Sequence, residues 1–196
     1  MEDISTIKKE FRTEMARRKR AISISEATIY AEQLFSQLKK WELYQNARTI
    51  LLYYSLPDEL PTHTFLQESS SSKTILLPAI ATNNLELRIY KGPDSLRVGT
   101  YHIAEPIGKP YTDYGTIDLC LIPGVAFDKK GIRLGRGKGY YDRFLPLLQA
   151  PKVGIGYDCQ LIDDVLPEES HDIRMDYLFT EARFLQINSI VKKVYK

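Results

Sequence analysis

At 196 residues the chain is long enough for one well-built core and too short for several full domains. Its 43% hydrophobic and 27% charged residues are ordinary for a soluble globular protein, and a net charge of +2 demands neither nucleic acid nor a membrane as partner. No apolar run reaches the length of a membrane span, and the start, Met1 to Ile4, lacks a signal-peptide pattern. The widely spaced Cys120 and Cys159 predict two buried free thiols and a reducing, cytoplasmic setting. His63, His102 and His171 are isolated from one another, so zinc-ligand spacing is absent.

In chain order, the first twenty residues predict an amphipathic helix. Ile4, Ile7, Phe11 and Met15 recur at steps of three and four, and Lys8, Lys9, Arg12, Arg17, Arg18, Lys19 and Arg20 make its other faces basic. Ser23 and Glu26 have capping-box spacing and open a second helix, with Ala27, Ala31, Leu34, Leu38 and Trp41 on one face. A strand over 49–54, a short helix from Thr62, and strands over 74–77 and 85–90 follow. Residues 91–115 are rich in Gly and Pro and predict a loop. Further strands are predicted over 118–123, 153–157 and 177–180, with a helix over about 140–148. Strands separated by helices predict a three-layer α/β/α fold with a mainly parallel central sheet, as one domain over residues 1–196. In such sheets ligands bind beyond the carboxyl ends of the strands, which brings together the loops 55–62, 125–141 and 158–172.

One of those loops carries the strongest chemical signal. In the run from Gly131 to Arg143, glycines and cations alternate at Gly135, Arg136, Gly137, Lys138 and Gly139, and a carboxylate follows at Asp142. Glycine lets backbone N–H groups turn toward an anion without a Cβ in the way, and the cations add full charges to that nest. Strand, glycine loop and helix in this order aim a helix N-terminus at phosphate. Asp142 adds a hard oxygen ligand suited to Mg²⁺. A P-loop does not fit, because Ile132 stands where its first glycine belongs and Gly139 follows Lys138 in place of a hydroxyl. A dinucleotide fingerprint fails too, since Tyr140 or Asp142 falls at its last glycine. The loop reads as a nucleotide-phosphate site; the plain alternative is a surface turn with solvated charges.

The stretch Pro123-Gly-Val-Ala-Phe-Asp-Lys-Lys-Gly-Ile-Arg-Leu-Gly-Arg-Gly-Lys-Gly-Tyr-Tyr-Asp142 closely resembles the signature of the 5-formyltetrahydrofolate cyclo-ligase family, also called 5,10-methenyltetrahydrofolate synthetases. Lys8-Lys-Glu-Phe-Arg12, Asp58-Glu-Leu-Pro-Thr62 and Leu166-Pro-Glu-Glu-Ser-His-Asp172 resemble further family segments, in the same order. Ile103-Ala-Glu-Pro106 resembles a segment near the substrate. The resemblance implies ATP- and Mg²⁺-dependent closure of 5-formyltetrahydrofolate to 5,10-methenyltetrahydrofolate, through a phosphorylated formyl group attacked by N10.

It also implies roles. Lys8, Arg12 and the run Arg133, Leu134, Gly135, Arg136, Gly137, Lys138, Gly139, Tyr140 and Tyr141 would bind ATP, with Arg136 and Lys138 as the catalytic cations. Tyr54, Glu59 and residues 136–140 would face the folate, Glu59 through the amino-pyrimidine edge of the pterin. Asp142 and Asp172 would hold Mg²⁺. Arg17 to Arg20 lie beyond the matched motif and read as a solvated face. Pro61, where the family commonly has a polar or acidic residue, would stiffen the loop that carries Glu59. The expected partners are small molecules only, 5-formyltetrahydrofolate and ATP, acting on a monomer or weak homodimer. Two other readings use the same features: a sugar-phosphate isomerase or deaminase with one phosphate in the loop, and an RNA- or membrane-surface-binding arm formed by the basic first helix.

Overall fold

The structure, a computed structural model, describes residues 3–99 and 103–187. It begins with two long helices, α1 (Ile4–Arg20) and α2 (Ile24–Lys40). They meet at the predicted capping box: the Glu26 N–H donates to Ser23 Oγ at 3.2 Å, and the Ser23 N–H donates to Glu26 Oε2 at 2.8 Å. A short α3 (Glu42–Asn46) leads into β1 (Thr49–Leu51), after which come α4 (His63–Ser69), β2 (Thr74–Ala81) and β3 (Asn84–Ile89).

Residues 91–115 are not the plain loop their composition predicts. They hold a small hairpin of β4 (Leu96–Val98) and β5 (Ala104–Pro106), paired antiparallel with Arg97 opposite Glu105. Each strand has only three residues, too few for alternation to show against the surrounding Gly and Pro. His102 and its neighbour Tyr101 lie outside the described residues.

The second half carries β6 (Leu119–Pro123), β7 (Ala126–Asp128), β8 (Arg133–Leu134), α5 (Tyr140–Phe144), β9 (Lys152–Ile155), β10 (Leu161–Ile162), β11 (Tyr177–Phe179) and β12 (Phe184–Gln186). The predicted helix over 140–148 stops as an α-helix at Phe144 and tightens into a 3₁₀ turn over Leu145–Leu147. Pro146 lacks the N–H that another α-helical turn would use.

Among the described residues, seven strands form the main sheet in the order β12-β11-β9-β6-β1-β2-β3. The five inner strands run parallel, and the edge strands β3 and β12 are antiparallel to their neighbours. Alternation along the strands separates two cores. Ile50, Ile75, Leu77, Leu119 and Leu121 pack under α2, α3 and α4. Leu51, Leu76, Cys120 and Ile122 point the other way, against Phe144, Leu145 and Leu148. The predicted α/β/α layering and mainly parallel sheet are therefore present.

A smaller three-stranded sheet, β10-β7-β8, stands beside the main one and was not visible as sequence pattern. With α1 it encloses a third apolar cluster of Met15, Val125, Ala126, Ile132, Leu134, Ile162 and Leu166. Buried Asp128 ties this region together by accepting the Lys130 and Ile132 N–H groups at 2.9 Å and the Leu166 N–H at 3.1 Å. Cys120 is buried in β6, but Cys159 is half-buried in a 3₁₀ turn and not in a strand; both are free thiols. No described helix is long and apolar enough to cross a membrane.

Candidate active site

The carboxyl ends of β1, β2 and β6 open onto a cleft of about 340 Å³. Its walls bring together three stretches: Tyr54 and Glu59 after β1, Pro78 and Ile80 of β2 with Leu85 of β3, and the loop from Gly135 to Asp142. This is where parallel α/β sheets place ligands. Ile103 and Glu105 of the β4–β5 hairpin close one side. Glu105 is buried and accepts the Ile80 N–H through Oε1 at 3.2 Å.

The glycine loop reaches the cleft because its backbone bends where only glycine bends easily. Gly137 and Gly139 have φ of 87° and 66°, in the left-handed region. Gly139 caps α5, and a Cβ there would come within 2.6 Å of Arg143 Nη1. The loop is also underpinned from α1: Arg12 Nε donates to the Gly135 carbonyl at 2.9 Å, and its guanidinium lies 3.4 Å from where a Gly137 Cβ would stand. Leu134 departs from the expected cradle. Its side chain is buried in the cluster under α1, and its carbonyl accepts the Val125 N–H at 2.7 Å.

The charged residues arrive already paired. Arg133 is buried and donates through Nη2 to Asp142 Oδ1 at 2.5 Å, with the Tyr141 ring 5.3 Å from its guanidinium carbon. Arg136 is half-exposed and donates to Glu59 Oε1 from Nε at 3.2 Å and from Nη2 at 3.1 Å. The same Nη2 lies 2.5 Å from Asp58 Oδ1. Glu59 Oε2 accepts the Leu56 N–H at 3.0 Å, so this carboxylate is held on both oxygens. Lys138 and Tyr140 line the cleft too, and the Lys138 carbonyl accepts from Arg143 Nη1 at 3.2 Å. Tyr54 supplies an aromatic wall, its ring 4.1 Å from that of His63. Burial, with the Glu59 charge adding to it, pushes the Tyr141 hydroxyl well above its ordinary value, so this phenol is a neutral hydrogen-bonding group.

Lys8, Arg12 and Asp172 do not line the cleft itself. Lys8 and Asp172, 164 residues apart, meet at 2.7 Å, and Lys8 Nζ also donates to Glu169 Oε2 at 2.7 Å. Burial opposes the charge on Asp172, yet hydrogen bonds from Lys8 and the Glu169 N–H outweigh it and hold the carboxyl below its ordinary range. Glu169, His171 and Asp172 each place a ligand atom within 4.8 Å of the others, the one cluster of three or more such side chains among the described residues. His171 is therefore less isolated than its sequence position predicts.

Sequence reasoning missed Lys19. The reading of Arg17 to Arg20 as a solvated face holds for Arg17 and Arg18, which pair with Glu14 on the same helix. Lys19 is instead buried and donates through Nζ to the Asp58 carbonyl at 2.8 Å and to Asp58 Oδ2 at 2.7 Å. The signal was its spacing. The buried residues of α1 are Lys8, Met15 and Lys19, with Arg12 half-buried between them, so the inward face runs through cations at helical steps. Of the predicted stripe Ile4, Ile7, Phe11 and Met15, Met15 is fully buried and the other three are only half-buried.

Comparison with known proteins places this architecture among relatives. The family model described as the 5-formyltetrahydrofolate cyclo-ligase family matches residues 4–181. A probable 5-formyltetrahydrofolate cyclo-ligase of Caenorhabditis elegans is 27% identical over 97% of this chain and 100% of its own. The 5-formyltetrahydrofolate cyclo-ligase of Escherichia coli is 29% identical over 85% of this chain and 96% of its own. The solved structure of Aquifex aeolicus 5,10-methenyltetrahydrofolate synthetase superposes with a TM-score of 0.85 at 31% identity, covering 93% of this chain and 94% of that one.

Proposed function

The chain belongs to the 5-formyltetrahydrofolate cyclo-ligase family, and from that premise we propose that it closes 5-formyltetrahydrofolate to 5,10-methenyltetrahydrofolate with ATP, releasing ADP and phosphate. The observation that carries the reading is a single contact. Arg136, in the loop assigned to phosphate, touches Glu59, in the loop assigned to the pterin, at 3.1 Å within one cleft. Two substrates that must exchange a phosphoryl group need such a meeting point.

The formyl oxygen on N5 is a poor leaving group. Its attack on the γ-phosphorus breaks the bond to ADP and makes a phosphorylated formyl group. N10 then attacks the formyl carbon and loses its proton, and the carbon–oxygen bond breaks as phosphate departs with the former formyl oxygen. The protein's task in this sequence is placement and charge balance. Residues 135–141 would wrap the triphosphate, with Lys8 and Arg12 behind them and Arg136 and Lys138 balancing the transferring phosphoryl group. Tyr54 would flank the pterin, and Glu59 would accept its N–H edge.

Asp142 and Asp172 are the carboxylates that would hold Mg²⁺, with Glu169 beside Asp172 as a further oxygen donor. Their chemistry suits a hard cation that keeps one or two protein carboxylates and completes its shell with phosphate and water. The ion would neutralise phosphate charge. Arg133 and Lys8, now on these carboxylates, would be free to turn to phosphate oxygens.

Labelling tests the route. With ¹⁸O in the formyl group, the released phosphate should carry one labelled oxygen per methenyl product. Label found in water, with none in phosphate, would rule out the phosphorylated formyl group.

A further inference from the structure

The loop that carries Glu59 is fixed from several sides. Tyr157 Oη donates to the Glu59 carbonyl at 3.1 Å, Tyr53 Oη donates to the Leu60 carbonyl at 3.3 Å, and the Leu56 N–H closes back on Glu59 itself. Lys19 anchors the same loop from α1, reaching both the carbonyl and Oδ2 of Asp58. Asp58 thus has one oxygen on a buried ammonium and the other, Oδ1, on the Arg136 guanidinium. Its position is set by the partner that cannot move far, and it passes that position on to a partner that can.

The two carboxylates that hold Arg136 are not equivalent. Glu59 takes it at 3.1 and 3.2 Å, Asp58 at 2.5 Å. On the reading of the site given above, on which this inference rests, Glu59 must turn an oxygen to the pterin when the folate binds. Arg136 then loses its longer contacts and keeps the shorter one. We propose that Asp58, anchored by the buried Lys19, is the positioning residue that keeps Arg136 at the cleft once the folate has taken Glu59. Neither Lys19 nor Asp58 touches substrate in this account; both act through Arg136. A half-exposed arginine has wide rotamer freedom, and an ionic hydrogen bond at one end of its fork removes much of it. Lys19 supplies what an exposed carboxylate lacks, a fixed neighbour whose charge has no other charged partner among the described residues.

The test is a mutant cycle on turnover. Asp58→Asn should lower kcat about tenfold, the size of a lost hydrogen bond between charged groups, with the KM for ATP little changed. In an Arg136→Ala background the same substitution should cost nothing further. Lys19→Met should reproduce the loss more weakly, and Lys19→Arg should restore it, which covers the case of an Asp58 variant that does not fold. An equal loss in both backgrounds, or no loss in either, would overturn the inference. A second readout does not need turnover. In the substrate-free protein the Nη2–H resonances of Arg136, the group that meets Asp58 Oδ1, assigned by their absence from Arg136→Ala, should exchange with water faster in Asp58→Asn and in Lys19→Met. Unchanged exchange in both would overturn the inference, whereas wild-type protein that does not cyclise the folate would overturn the enzyme reading alone.

Discussion

Arg17 and Arg18 adjoin Lys19 on one helix, and the three cations have unlike fates. The two arginines lie exposed and pair with Glu14, three and four residues away. Lys19 is buried and pairs across the fold with Asp58, as Lys8 does with Glu169 and Asp172. The outward pairs are short-range and solvated, worth little to any folded state because the helix alone can form them. The inward ones join residues that meet only when the chain has folded, and each holds part of the candidate site in place. Charge count on a helix therefore says nothing about role; the face and the distance to the partner decide it.

Substitutions can break that contrast, and the largest effect should fall where an inward contact ends in the cleft. Arg136→Ala should slow turnover by about 3 kcal/mol, near a hundredfold, if this guanidinium meets charge in the transition state. A folded variant with wild-type kcat would remove Arg136 from the catalytic group. Lys8→Met should cost about 3 kcal/mol of folding stability, because it strands the buried Asp172 carboxylate without its cation. Urea titration measures this, and a loss near zero would put Lys8 with the outward group.

Acid should sharpen the same comparison with a smaller effect. The Asp172 carboxyl titrates below its ordinary value when folded, despite its burial, because Lys8 and the Glu169 N–H favour the charged form. Its contribution is complete above the unfolded carboxyl pKa of about 3.9 and is lost as pH falls through the lower folded value. Lys8 works in the opposite sense. Burial lowers its pKa, but the hydrogen bonds to Asp172 and Glu169 raise it by more. Its share is complete below about pH 10.4 and is lost as pH rises past the raised value. Between those limits the contribution of this pair should be constant, and below about pH 4 Tm should fall more steeply in wild-type protein than in Lys8→Met. Parallel acid limbs would contradict the pairing. Arg17→Ala should do least: Glu14, held at a pKa of about 2 first by Arg17 and then by Arg18, keeps its second partner, and Tm should not change measurably.

How far the sequence could be read follows the same division between local and long-range features. The capping box at Ser23 and Glu26, the inner strands and the bending glycines Gly137 and Gly139 are legible because each is written in neighbouring residues. Glu59, Tyr54 and the loop from Gly135 to Asp142 do share one cleft. The strands β7, β8 and β10 have two or three residues each, shorter than any period that could reveal them. Leu134 was read with its glycine neighbours, but as part of β8 it faces the cluster under α1. Lys19 escapes the reading because it lies beyond the matched motif and among the exposed Arg17, Arg18 and Arg20, although it stands one helical turn after the buried Met15. No local pattern announces that a lysine's partner lies 39 residues away at Asp58.

The most direct measurement mixes purified protein with 5-formyltetrahydrofolate and Mg·ATP and follows methenyl absorbance and ADP together. Equal amounts of both, with neither product formed when ATP is left out, is the predicted result. Methenyl product forming without ATP, or ADP forming with no methenyl product, would contradict the account.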